Sequence, residues 1–162
     1  MTGETQDPHV LSPGHAPTPF TADEIRAGCP AGRAIRLQVE VVGETPFHRV
    51  SRFVETDEAG ATMERYRLSL DGSLLGEPEV SHVTWRELQA HASFPADATT
   101  IEPERIETAL GELDCLRYTV HDGATDEVFW FAKDLPGMPI QILTRTDGQV
   151  AATVSVVSQT LP

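Results

Sequence analysis

Ile35-Arg-Leu-Gln-Val-Glu-Val41 places an apolar side chain at every second position, with Arg36, Gln38 and Glu40 between them. A period of two marks a strand with one wet face, because successive side chains of a strand point to opposite sides. The pattern recurs outward from this stretch. Gly43 to Pro46 reads as a turn and Phe47 to Glu55 as a partner strand, while Tyr66, Leu68 and Leu70 alternate with Arg65, Arg67 and Ser69. Asp71-Gly72, Asp122-Gly123 and Asp147-Gly148 are hairpin signals, since both residue types tolerate the positive φ of primed turns. Further strands are expected over Glu112 to His121, Asp126 to Lys133, Pro139 to Arg145 and Gln149 to Ser158.

Two segments carry a helical signature instead. Thr21-Ala-Asp-Glu24 and Thr84-Trp-Arg-Glu87 are capping boxes, in which hydroxyl and carboxylate each satisfy an orphan backbone donor. The first helix is short, stopped by Gly28 and Pro30. The second runs to about Ser93, aligns Trp85, Leu88 and Ala92 on one face, and ends at Phe94-Pro95. The fold class that follows is mainly β (α+β): a curved antiparallel meander, half-barrel-like, with one covering helix and a short N-terminal helix. At 162 residues and 17.7 kDa the chain suits one domain whose core needs no disulfide or metal. Residues 1–20, with Pro8, Pro13, Pro17 and Pro19 and few apolar side chains, read as a disordered tail. Residues 21–162 form the single β-rich domain.

Lys plus Arg number 12 against 25 Asp plus Glu, a net charge of -13. Such a surface repels phosphate backbones and anionic bilayers, so neither nucleic acid nor membrane insertion is expected. One lysine, Lys133, beside eleven arginines and no asparagine reflects a GC-rich, bacterial codon usage. Lys133 itself is expected at a strand end with its head in water. The two cysteines, Cys29 and Cys115, share no C-x-x-C frame, and Cys115 reads as a small buried apolar residue. Ala27-Gly28-Cys29 imitates the end of a lipoprotein cleavage box, yet no apolar segment precedes it. With no leader-like stretch over residues 1–20, the expectation is a cytoplasmic protein.

Chemistry is harder to find. His48, His82 and His121 fall on separate strands and His91 on the helix, none in a metal-binding frame. There is no phosphate-cradling loop and no nucleophile elbow. Asp97, Glu102, Glu104 and Glu107 read as a solvated sheet edge, where like charges discourage aggregation. No catalytic residue, metal or cofactor is expected, and the chain is read as no enzyme. The informative stretch is Val128-Phe-Trp-Phe-Ala-Lys-Asp-Leu-Pro-Gly-Met-Pro-Ile140, apolar on both faces of one strand. Such a strand is either central and sandwiched or the wall of a cavity.

Leu110-Gly-Glu-Leu-Asp-Cys-Leu-Arg-Tyr118, Phe129-Trp-Phe-Ala132 and Leu135-Pro-Gly-Met-Pro-Ile140 resemble the C-terminal half of half-barrel domains. These are similar in architecture to the periplasmic lipoprotein carrier and the mycobacterial lipid carriers, and the resemblance covers residues 99–145. It implies a curved sheet wrapping a helix, with lipid or acyl chains on the concave side. The functional expectation is a module binding an apolar or amphipathic small molecule, with Trp85, Tyr118, Phe129, Trp130 and Met138 as its lining. The alternative is an interaction or structural module with a filled core and no ligand, its protein partner unknown.

Overall fold

Both capping boxes close. In the computed structural model, which describes residues 7–162, the Glu24 amide donates to Thr21 Oγ1 at 3.2 Å and the Thr21 amide to Glu24 Oε1 at 2.9 Å. They open α1 (Ala22–Gly28). Thr84 and Glu87 make the same reciprocal pair at 3.0 and 3.1 Å and open α2 (Trp85–Ala90).

The remaining elements are strands: β1 (Ala34–Val41), β2 (Phe47–Thr56), β3 (Gly60–Ser69) and β4 (Leu74–Thr84) precede α2. After a short 3-10 turn (Ala96–Ala98) come β5 (Thr99–Thr108), β6 (Gly111–Asp122), β7 (Thr125–Ala132), β8 (Gln141–Thr146) and β9 (Gln149–Thr160). All nine form one sheet in the order β4-β3-β2-β1-β9-β8-β7-β6-β5, and every neighbouring pair is antiparallel. The curved antiparallel half-barrel is therefore present, with a topology richer than a plain meander. Two meanders join where β1 pairs β9, so β4 and β5, adjacent in sequence, are the two edges.

That arrangement dictates the curvature. With α2 kept helical and the rest fully extended, residues 85–98 reach about 35 Å, whereas nine flat strands would set the edges about 38 Å apart. A flat sheet leaves the crossover no slack, so the sheet curls and α2 lies across its concave side. Both edge strands carry an internal proline, Pro78 in β4 and Pro103 in β5, as befits strands with one unpaired side. At the β8–β9 hairpin, Asp147 (φ 53) and Gly148 (φ 76) both take the left-handed geometry of a primed turn.

The expected disordered tail meets a different arrangement. Residues 1–6 lie outside the described residues. Residues 7–20 dock on the crossover: the Ala16 amide donates to Phe94 O and the Ala96 amide to Gly14 O, both at 2.8 Å. Ala16, Thr18 and Phe20 are buried. Gln89, buried in α2, donates to Pro8 O at 2.9 Å and Thr18 Oγ1 at 3.0 Å, and accepts from the Ala22 amide at 2.9 Å. The buried Tyr118 hydroxyl donates to Pro17 O at 2.6 Å. Few apolar residues suffice here because buried polar groups on the domain take up the segment's backbone.

Phe131 sits at the centre of the core under α2. Its ring meets Tyr118 edge-on at 5.3 Å and Phe20 at 6.3 Å, and it lies 3% exposed. A second cluster joins Ile35 and Leu37 of β1, Val156 of β9, Ile140, and Val128 and Trp130 of β7. Phe131→Ala is expected to cost about 3–5 kcal/mol in urea denaturation, the range for a truncated core aromatic; a loss below about 1 kcal/mol would contradict this packing.

Alkaline pH probes the same interior. Burial raises the thiols of Cys29 and Cys115 above their ordinary 9.0 and the phenol of Tyr118 above 10.0. The folded state holds the neutral forms, so their contribution is complete below about pH 9 and is lost as pH rises through the raised native values. Denaturation midpoints should fall from about pH 9 upward, and Tyr118→Phe should flatten the limb above about pH 10. An identical slope in the variant would refute the assignment to Tyr118.

Candidate functional site

The site follows from the alternation in β7. Phe129 and Phe131 point toward α2, and Val128, Trp130 and Ala132 turn to the other face of the strand and belong to the second cluster. Beneath α2 the packing is incomplete, leaving a cavity of about 200 Å³. Phe53 of β2 and Met63 of β3 form one wall, Phe129 and Phe131 another, with Leu88 of α2 and Phe94 of the crossover above. Phe94 stacks on Phe129 at 5.1 Å between ring centroids. His91 and Arg65 bring polar groups to the lining.

Met138 and Pro139 close one side, and their position is fixed through α1. Gly28 ends α1 against Pro136, where a Cβ would stand 2.8 Å from the proline ring, so only glycine permits the approach. The buried Arg33 locks that contact: its Nη1 donates to Pro136 O at 2.6 Å and to Gly28 O at 3.1 Å. Cys29, the cysteine of the lipoprotein-box imitation, is buried beside it, with Arg33 Nη1 at 3.1 Å from its sulfur.

Past Met138 and Pro139 the concave face continues into a second space of about 220 Å³, bounded by Leu37, Ile142, Arg49, Ser51 and Arg65. It leads to an open groove between Arg49, Arg65 and Arg67 and the β4 residues Leu75 to Glu79. Apolar cavity and arginine-lined groove thus share Arg65.

Of the residues expected to line a site, Phe129 and Met138 meet at the cavity. Trp85 packs beside it, stacked on Phe53 at 6.3 Å, with Nε1 donating to Asp57 O at 2.8 Å. Tyr118 is spent on the N-terminal segment. Trp130 faces the other way and donates to Glu104 Oε1 at 3.1 Å. The acidic stretch lies on the edge strand β5, where Glu102 and Glu104 both pair with Arg117 of β6. Sequence reasoning missed Phe53, Met63, Arg65, Leu88 and Phe94 in the lining. Phe131 was within reach, two residues from Phe129 on the same face of one strand.

Among the described residues no group of three or more His, Cys, Asp or Glu converges as a metal site. No helix there is long and apolar enough to cross a membrane.

No known family profile matches the chain, and no curated protein matches it. Solved structures do. A protein described as exported, with a YmcC-like fold, from Bacteroides fragilis superposes with a TM-score of 0.52 at 7% identity over 82% of this chain and 97% of that one. MucB superposes at 0.59 and 13% identity, over 84% of this chain and 55% of that one. In the Pseudomonas aeruginosa MucA/MucB complex the values are 0.58 and 12%, over 79% and 50%. The chain thus spans about half the length of these last two. An outer-membrane lipoprotein-sorting domain from Vibrio parahaemolyticus also matches at 10% identity over 86% and 89%, with a TM-score of 0.29 too low to carry an argument. That the Bacteroides fragilis neighbour is described as exported contradicts the cytoplasmic expectation. The two cysteines, each buried and free, report packing and no redox compartment. What these comparisons share with the chain is the fold: a YmcC-like and MucB-like half-barrel.

Proposed function

We propose that the protein is a non-enzymatic binding module holding an apolar or amphipathic small molecule in the cavity under α2. One observation carries the reading: apolar side chains from β2, β3, β7 and α2 converge on that cavity without filling it. Native cores leave few voids of this size, and a dry apolar cavity of ~150 Å³ already accepts benzene. At about 200 Å³ it suits a short alkyl chain or a small ring. A second reading, an interaction module, is favoured by the edge strand β4, along which Leu74, Leu75 and Val80 are exposed by 54%, 39% and 63%. An open strand of that kind can accept a strand from a partner, and MucB is known in complex with MucA.

Native mass spectrometry of the purified protein, before and after organic extraction, separates the two. The expected result is an extractable adduct, or NMR shifts at Phe129, Phe131 and Met138 on titration with 1-octanol. Leu88→Trp, placing a larger ring on the cavity wall, should abolish both while the melting temperature holds within a few degrees. A bare polypeptide mass together with unmoved cavity resonances would overturn the binding reading.

A further inference from the structure

Resting on the reading of the cavity as a site for an apolar chain, we infer that Arg65 and Arg49 hold the anionic head of the same ligand. Its class is then an amphiphile with one short apolar chain and a carboxylate or phosphate head. Arg65 is the junction: it lines the apolar cavity, the adjoining space and the outer groove, and Arg49 lines the last two.

These cations are unspent. The ion pairs of the described residues engage Arg52, Arg105 and Arg117, and none engages Arg49, Arg65 or Arg67. The one side-chain contact that Arg65 donates to is the Met63 sulfur, at 3.9 Å. Glu77 and Glu79 of β4 also line the groove and form no ion pair with these arginines.

The arrangement costs stability as it stands. Arg49 and Arg67 are directly opposite in the β2–β3 ladder, and like charges so placed repel. Arg65 lies opposite Ser51, whose buried hydroxyl faces the same space, and on its other side opposite Glu79, with which it forms no ion pair. Burial and the neighbouring Arg65 charge hold the Arg49 guanidinium below its usual range, in keeping with a half-buried cation that lacks a counter-charge. Arg67 lies over the Phe47 ring at 5.6 Å and so has a partner of its own. In a chain of net charge -13, a groove in which three arginines outnumber Glu77 and Glu79 and form no ion pair with them is a local reversal of sign that meets the open end of an apolar cavity. Guanidinium forks match carboxylate and phosphate oxygens bidentately, and the cavity accepts a chain of roughly eight carbons.

Isothermal titration calorimetry with octanoate, octyl phosphate and 1-octanol holds the chain constant and varies the head. In the native protein one or both anions should bind at least about tenfold tighter than 1-octanol, and the tighter anion names the head group. Arg49→Gln, outside the apolar cavity, should reduce that advantage and leave 1-octanol affinity unchanged, which also shows that the variant is folded. Arg65→Gln should lower the affinity of the anions by more than that of 1-octanol and so reduce the same advantage. Equal affinities of all three compounds for the native protein, or an anion preference that survives both substitutions, would overturn the head-group site and leave the apolar cavity standing. Binding of none of the three would overturn the cavity reading itself, and this inference with it.

Discussion

The chain must travel from one edge of a nine-stranded sheet to the other within residues 85–98, and most of the architecture answers that constraint. A short connection cannot span a flat sheet of this width, so the edges are drawn toward each other and α2 is held over the concave face. The helix itself is only Trp85–Ala90, too short to persist alone, and its stability comes from what it covers and from what grips it. Trp85 anchors its start through Asp57 O, and Gln89 anchors its flank through Pro8, Thr18 and Ala22.

Buried polar groups act here as fasteners between segments distant in sequence. Gln89 binds the N-terminal segment to α2, Tyr118 binds the same segment to β6, and Arg33 binds the end of α1 to the connection that carries Met138. Each would be costly unpaired, and each donates to at least one backbone carbonyl of the segment it holds: Pro8 for Gln89, Pro17 for Tyr118, Gly28 and Pro136 for Arg33. These fasteners give the concave face a defined shape, so the cavity is bounded by elements held in place.

How much of this the sequence disclosed depends on the range of the interaction. Capping boxes, two-residue turns and the alternation of Ile35 to Val41 are local, and their elements form where the residues place them. The acidic stretch on β5 was legible as an edge for the same reason, and Pro78 and Pro103 mark the two edges. The pairing of β1 with β9 is not local: nothing in either strand names its partner, and the central seam emerges only when the crossover is laid across the sheet. The docking of residues 7–20 was hidden because its partners, Gln89, Phe94 and Tyr118, lie far along the chain. The site shows the same divide. Phe129 and Met138 sit in the stretch that reads as apolar on both faces, whereas Phe53, Met63 and Arg65 sit in ordinary alternating strands. Trp130 sits in the same apolar stretch, and strand parity turns it to the other side.

Strand parity also explains why the basic groove and the apolar cavity are continuous. Phe53, Ser51 and Arg49 succeed one another on one face of β2, opposite Met63, Arg65 and Arg67 on β3. Going along this ladder from Phe53 toward Arg49, the lining changes from apolar to cationic within two steps of the pleat. The crossover covers the apolar end, because α2 begins beside Phe53 and brings Leu88 over Met63, and leaves the arginine end open. A concave face graded in this way is polarised along its strands. Whatever occupies it is oriented by the same two strands that build its walls, with no further element needed to decide which end enters first.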